Sequence, residues 1–185
     1  MGNVKGSAIS ARLRFVRERH GQGGIDRLLA ALTPGSRALL DARVLPQAWV
    51  PADLFIDLLV QADRLFGKGD LELCVEMGRY SAEVNLPTLY KVFYRLGSPM
   101  FILRKAASLW SVHYDSGHLT ATPLAEGHAR LAIEGYDRPH RAHCRSVLGW
   151  ATRSVELSGG TVLSAVDEKC RAKGDDACEM AVEFS

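Results

Sequence analysis

Hydrophobic positions recur at helical spacing through the first part of the chain. Between Pro51 and Phe66, the apolar residues Leu54, Leu58 and Ala62 fall on one face of a helix. A spacing of three to four residues is typical of an amphipathic helix that buries one side. Further helices are predicted over 7–20 and 25–32. Capping residues, proline and apolar spacing also predict helices that begin at Asp70, Pro87 and Ser98.

Alternation of apolar and polar residues replaces this spacing after residue 110 and predicts strands. The alternating segments are Trp110–Asp115, His118–Leu124 and Gly127–Tyr136, and the pair Ser116–Gly117 forms a turn between the first two. Two or three antiparallel strands are therefore expected in this part of the chain.

The last part of the chain is predicted to be one helix followed by a β-hairpin. Pro139 opens a helix that Gly159–Gly160 closes, and the strands Thr161–Arg171 and Ala177–Phe184 follow. The fold class is therefore predicted to be α+β, with N-terminal helices packed on an antiparallel sheet and a terminal helix plus β-hairpin.

Three of the four cysteines are expected to converge in this terminal unit. Cys178 lies on the apolar face of the last strand, Cys170 lies opposite it across the hairpin, and Cys144 begins the apolar stripe of the helix. Three thiols could act as ligands of a tetrahedral metal ion, pack as small hydrophobic groups, or include a redox pair. Cys74 stands apart and is predicted to be a core residue.

Composition places the chain among ordinary globular proteins. Hydrophobic residues are 47% of the 185 residues, charged residues are 24%, and the net charge is +2. This charge does not indicate nucleic-acid binding, and the basic runs are interpreted as solvated helix faces (Arg12, Arg14, Arg17 and Arg19 in one, Arg138, Arg141 and Arg145 in the other). With no apolar run of membrane-spanning length and no secretory signal, the expected location is the cytoplasm, where cysteines stay reduced.

The segments Asp167–Cys170, Ala172–Asp175 and Cys178–Met180 resemble the end of V4R (4-vinyl reductase) domains. V4R domains share a fold with the ligand-sensing modules of phenol-responsive transcription activators and with TRAPP vesicle-tethering subunits. The resemblance implies a structural zinc ion (Zn), which the phenol sensors hold by residues that correspond to Cys144, Asp167, Cys170 and Cys178. Strict alternation points Asp167 away from Cys170 unless a β-bulge intervenes, so Glu168 and then His143 are alternative fourth ligands.

The same resemblance implies one V4R-like domain over residues 1–185, with a helical extension at 1–50 and a core at 51–185. The N-terminal segments Val4–Ser7 and Arg12–Arg19 are also similar to an uncharacterised family of V4R-like proteins from myxobacteria. Related haem and nitric-oxide sensors use a helical histidine and a Tyr-x-Ser-x-Arg clamp. The sequence lacks this clamp, so haem is not expected.

In this fold the organic ligand lies between the sheet and the helices. A cavity for a hydrophobic or aromatic small molecule is therefore expected, with walls from six residues: Phe93, Phe101, Trp110, His113, Tyr114 and Trp150.

No arrangement typical of an enzyme is found in the sequence. Gly21–Gly24 follows no strand and is interpreted as a helix connector. His140 and His143 are three residues apart near the start of a helix, where an imidazole is as readily solvated as metal-binding. The expected function is a non-enzymatic sensory domain that binds a small molecule or metal. Because no output domain follows, it is expected to signal through a protein partner, as a homodimer. The alternative is a TRAPP-like adaptor without a ligand.

Overall fold

The computed structural model describes residues 2–85 and 97–185. The helix expected from Pro87, and with it Phe93, lies outside the described residues.

A short sheet and a long bent helix form the N-terminal part. Strand β1 (Asn3–Lys5) pairs antiparallel with β2 (Trp49–Pro51), and α1 (Gly6–Ala31) follows β1 directly. The two helices expected over 7–20 and 25–32 join across a kink at Gly21, whose φ of 65° is accessible to glycine at no steric cost. A short helix, α2 (Pro34–Asp41), leads towards β2.

Helices α3 (Ala52–Phe66) and α4 (Glu72–Asn85) continue the helical layer. Leu54, Leu58 and Ala62 are buried, as their spacing predicts. Residues of α1, including Phe15 and Leu28, belong to the same hydrophobic cluster as these α3 residues. The N-terminal 50 residues therefore supply part of the core.

Residues 97–117 contain one helix that the sequence predicts and one that it does not. Helix α5 (Pro99–Ser108) begins at Ser98, whose hydroxyl accepts a hydrogen bond from the Phe101 amide at 3.3 Å. The strand expected at Trp110–Asp115 is wrong, because Trp110–His113 forms a helical turn, α6. The Trp110 indole donates to the Ser116 carbonyl at 2.9 Å and holds this turn closed.

A four-stranded antiparallel sheet confirms the α+β class. Its strands are β3 (His118–Ala125), β4 (His128–Glu134), β5 (Val162–Lys169) and β6 (Cys178–Phe184), in the order β3-β4-β6-β5. The helix before the hairpin is α7 (Arg141–Leu157), and it packs between α4 and the sheet. The alternation expected in β6 is confirmed, since Cys178, Met180, Val182 and Phe184 are all buried.

Helices α4 and α7 approach each other backbone to backbone. A Cβ atom placed on Gly78 would overlap the Ser146 carbonyl oxygen, and one on Gly149 would overlap the Val75 carbonyl oxygen. Only glycine fits at both positions without moving a helix. Arg12 contacts the hydroxyls of both helices, Ser81 of α4 and Ser146 of α7.

Within the described ranges, no helix is both long and apolar enough to span a membrane.

Candidate functional site

Arg12 is a buried cation in the helical layer. It lies one turn from Ala8 and Phe15 on the inner face of α1, and only 5% of its surface is exposed. Its guanidinium donates to the Ser146 hydroxyl at 2.6 Å, to the Ser81 hydroxyl at 2.8 Å and to the Ala8 carbonyl at 3.4 Å. The interpretation of the first basic run as solvated is therefore wrong for Arg12, although Arg14 and Arg19 are exposed.

The charge of Arg12 has no carboxylate partner among the described residues. No ion pair of the described residues includes Arg12, its Nε has no hydrogen-bond partner, and the segment 86–96 contains no aspartate or glutamate. The ring of Phe55 lies 4.7 Å from the guanidinium carbon. Burial lowers the pKa of Arg12 to about 10, so the side chain remains a cation at neutral pH.

A cavity of about 70 Å³ lies beside Arg12, and we call it the Arg12 cavity. Its lining is mostly apolar and comes from α1, α4, α5, α6, β3 and α7, with Leu109 between α5 and α6. The lining residues are Ala8, Arg12, Ser81, Ala106, Leu109, Trp110, His113, Tyr114, Leu119, Ser146, Val147 and Trp150.

Four of the six residues expected to form a ligand cavity line this one: Trp110, His113, Tyr114 and Trp150. Phe101 is 42% exposed and is not among the lining residues. Arg12 was missed, although its position one turn from Ala8 and Phe15 was a signal that it shares the buried face of α1.

The polar groups of the cavity other than Arg12 are held in their neutral forms by burial. Burial lowers the pKa of His113, and the charges of Arg12 and Lys5 lower it further. Burial also raises the pKa of Tyr114 to about 12. Of the described lining residues, Arg12 is therefore the one that is charged at neutral pH.

Next to the cavity, His143 lies in a nest of aromatic rings. Its ring centroid is 4.7 Å from that of Tyr136, 5.0 Å from Tyr114, 5.7 Å from Trp110 and 5.9 Å from Phe55. Both ring nitrogens are buried without a hydrogen-bond partner. Burial lowers the pKa of His143 to about 3, so it packs as a neutral ring.

The three expected thiols do converge, and we call Cys144, Cys170 and Cys178 the thiol cluster. Their sulfur atoms lie within 4.8 Å of one another, and the Cys144 and Cys170 sulfurs are 4.0 Å apart. Contact with the Cys144 thiol lowers the pKa of Cys170 to about 6 and also lowers the pKa of Cys178. The Cys144 pKa is raised for the same reason. Cys144 is therefore the thiol of the cluster that holds its proton most firmly.

The expected fourth ligands do not join this group. A register shift between Asp167 and Lys169 turns Asp167 towards α7, where its carboxylate pairs with Arg145 at 3.4 Å. Glu168 is exposed, and His143 is held in the aromatic nest. Among the described histidines, cysteines and acids, the thiol cluster is the group with metal-ligand spacing.

Cys74 is separate from the cluster and buried on α4. Its sulfur lies 3.7 Å from the Leu59 carbonyl oxygen, and burial raises its pKa to about 12.

Comparison with known proteins gives matches in structure alone. No protein-family model matches the chain, and no curated protein sequence does. An H-NOX protein from S. oneidensis in the Fe(II)NO state superposes with a TM-score of 0.72 at 15% identity, covering 98% of this chain and 99% of that one. The unliganded Fe(II) H-NOX protein from K. algicida gives 0.72 at 12% identity, covering 98% and 96%. This chain has the H-NOX fold.

An oxygen-binding H-NOX domain related to soluble guanylate cyclases also matches, with a TM-score of 0.65 at 14% identity over 98% of this chain and 95% of that one. The resemblance to V4R domains is contradicted by these matches. It was based on short segments of one helix and hairpin, whereas the structural matches extend through nearly the whole chain, including α1 to α4.

The expectation of zinc without haem is likewise contradicted, because the matched H-NOX structures are haem-binding proteins solved in Fe(II), Fe(II)NO and oxygen-bound states. The thiol cluster alone suggested zinc, and the missing Tyr-x-Ser-x-Arg clamp alone argued against haem. Neither feature reports on the fold as a whole.

The Arg12 cavity itself is a poor fit for haem. Haem requires an axial ligand and space for a macrocycle, and cofactor sites have volumes of roughly 300 to 1,000 Å³. The cavity measures about 70 Å³, and His113, the histidine among its lining residues, shares it with Arg12. His143 is enclosed by rings. The described residues, as arranged here, do not fit haem.

Proposed function

We propose that this chain is a non-enzymatic sensory domain of the cytoplasm. It binds a small molecule in the Arg12 cavity and signals by contact with a protein partner. The main support is the cavity itself, which is lined by α1, α4 to α7 and β3 and combines apolar walls with a few polar groups. The shared fold with H-NOX sensor domains supports the same proposal.

The polar groups of the cavity favour binding over catalysis. The hydroxyls of Ser81 and Ser146 accept hydrogen bonds from Arg12, whereas an activated serine would donate to a base. A ligand held there would contact α1, α4 and α7 together. Ligand binding could therefore be relayed to a partner through the packing of these three helices.

A cavity-filling variant tests the proposal. Melting of the wild type is followed by scanning fluorimetry with small organic acids, amides and alcohols of similar size. We expect at least one compound to raise the melting temperature, and Ala106→Leu to remove the effect because it fills the cavity. Ala125→Leu, at the exposed end of β3, is the matched control and retains it.

Two results would contradict the proposal. If no compound shifts the wild type, the cavity is not a ligand site and the adaptor alternative is favoured. If added haemin produces a Soret band in the wild type but not in Ala106→Leu, the occupant is haem rather than a small molecule.

The homodimer through the helical half is also part of this proposal, and light scattering of the purified chain measures it.

The metal-ligand role of Cys144, Asp167, Cys170 and Cys178 stays a prediction. The spacing of the three sulfurs supports it for the cysteines, whereas Asp167 would have to leave Arg145 to take part. Cobalt(II) titration is the test, since thiolate ligands give intense charge-transfer absorption. Cys170→Ser is expected to weaken the band and Cys74→Ser to leave it unchanged. An unchanged band in Cys170→Ser would exclude the cluster as the binding site.

A further inference from the structure

We propose that the Arg12 cavity selects a small organic monoanion, a short-chain carboxylate, and that Arg12 is the group that recognises it. This inference rests on the proposed function, because it names the chemical class of the molecule that the cavity binds.

The first argument is charge. A buried cation is stable only when a partner of opposite charge or a full set of hydrogen bonds compensates for its lost hydration. Arg12 is 5% exposed, yet its side-chain partners are two neutral hydroxyls, and its Nε has no partner. The segment 86–96 contains no acidic residue, so no carboxylate can come from it. A negatively charged ligand would complete the site.

The second argument is the number of charges. Among the lining residues that the structure describes, Arg12 is the one cation, and the pKa of His113 is lowered by burial. One bound negative charge therefore neutralises the site, whereas a phosphate dianion would leave a second charge buried. A guanidinium also matches the planar geometry of a carboxylate.

The third argument is the form of the remaining walls. Ala106, Leu109, Leu119 and Val147 add apolar surface to the lining, so the ligand is expected to carry a hydrocarbon part. An apolar cavity of about 150 Å³ accommodates benzene, so one of about 70 Å³ suits a chain of two to three carbons. Propionate combines one negative charge with such a chain.

The hydrogen-bond donors around the charge are already in place. The Ser146 hydroxyl accepts from Arg12 and retains a hydrogen of its own that can be turned to a carboxylate oxygen. Arg12 and Ser146 come from α1 and α7, so the carboxylate would link the two helices.

The test compares sodium propionate with its neutral isostere propionamide by calorimetric titration of the wild type. Because charge-assisted hydrogen bonds are the stronger ones, we expect propionate to bind about 10- to 100-fold more tightly. Arg12→Gln is expected to remove this preference and Arg12→Lys to retain part of it. Arg14→Gln, on the exposed face of α1, is the matched control and leaves both affinities unchanged.

The outcomes separate this inference from the proposed function. Equal affinity for propionate and propionamide overturns the anion inference while the cavity remains a ligand site. Binding of neither compound, with another compound of the panel shifting the melting temperature, also overturns it. Tighter binding of inorganic phosphate than of propionate would contradict the monoanion. The wild-type comparison needs no variant, so it holds even where Arg12→Gln fails to fold.

Discussion

Two buried charges, Asp63 in the last turn of α3 and Arg12 beside the cavity, are compensated in different ways. The Asp63 carboxylate accepts the Leu71 amide at 2.9 Å and the Leu73 amide at 3.2 Å, so the backbone at the start of α4 satisfies it. Arg12 has two hydroxyls and one carbonyl as partners, and open space beside it. The first arrangement is complete without a ligand, and the second is not.

This difference separates a structural charge from one suited to binding. A carboxylate at a helix N-terminus binds amides that would otherwise be unpaired, so its burial stabilises the fold. A guanidinium next to a cavity and without a counter-ion costs free energy in the empty protein. Four measurements test this difference between Asp63 and Arg12.

The largest effect is expected for Asp63→Ala. It leaves the amides of Leu71 and Leu73 without their acceptor in a buried turn, and we expect a loss of about 3 kcal/mol in the free energy of unfolding. Urea denaturation measures it. Asp70→Ala is the control, because Asp70 is exposed and accepts one amide nearby, and it should cost less than about 1 kcal/mol. Equal losses of stability in Asp63→Ala and Asp70→Ala would show that burial of the Asp63 carboxylate adds nothing to stability.

Gly149→Ala is expected to destabilise the protein by about 2 kcal/mol, because its methyl group would overlap the Val75 carbonyl oxygen. The variant should also weaken ligand binding at Arg12, since it separates the helices that carry Ser81 and Ser146. Gly35→Ala, where a Cβ meets open space, is the control and should be neutral or slightly stabilising. Calorimetric melting measures both, and unchanged stability of Gly149→Ala would contradict the close crossing.

Arg12→Met is expected to raise the free energy of unfolding of the ligand-free protein by about 1 kcal/mol, because it removes an uncompensated buried cation. This change in the free energy of unfolding is opposite in sign to that expected for Asp63→Ala, so the two variants distinguish the two buried charges directly. Urea denaturation without added anions measures this gain in stability, with Arg14→Met as the exposed control. A large loss of stability would show that Arg12 is a structural charge.

The smallest effect concerns pH. Burial lowers the pKa of His113 below its value in the unfolded chain, so the unfolded state binds the proton more readily. This contribution to stability is complete above the unfolded pKa of about 6.5 and is lost as the pH falls below it. His113→Gln should therefore lose less stability than the wild type between neutral and mildly acidic pH. Urea denaturation of both proteins at neutral and at mildly acidic pH measures this, and an equal loss of stability in the two would contradict the prediction.

The thiol cluster and the terminal hairpin were predictable from the sequence because each depends on local patterns. Alternation in β6 fixes the face of Cys178, and the apolar stripe of α7 fixes that of Cys144. The ligand set was less predictable, because the register shift after Asp167 and the partner Arg145 are tertiary features.

The cavity was only partly predictable. Its aromatic walls were expected at Trp110, Tyr114 and Trp150, although Trp110 lies in a helical turn rather than a strand. The role of Arg12 depends on Ser81 and Ser146, which are 69 and 134 residues away in sequence. No local pattern reports such distant partners. The same limit explains why segments of the hairpin suggested the wrong family.

The glycine crossing of α4 and α7 has a mechanical consequence. At Gly78 and Gly149 the two backbones are in direct contact, without a side chain between them that could change its rotamer. The two helices therefore resist sliding past each other and tilt together. Helix α7 has 17 residues and is about 25 Å long, with Cys144 near its start. A small displacement at Ser146 would therefore move α4 and α7 as one rigid unit. The β5–β6 hairpin, which packs on α7, would move with them.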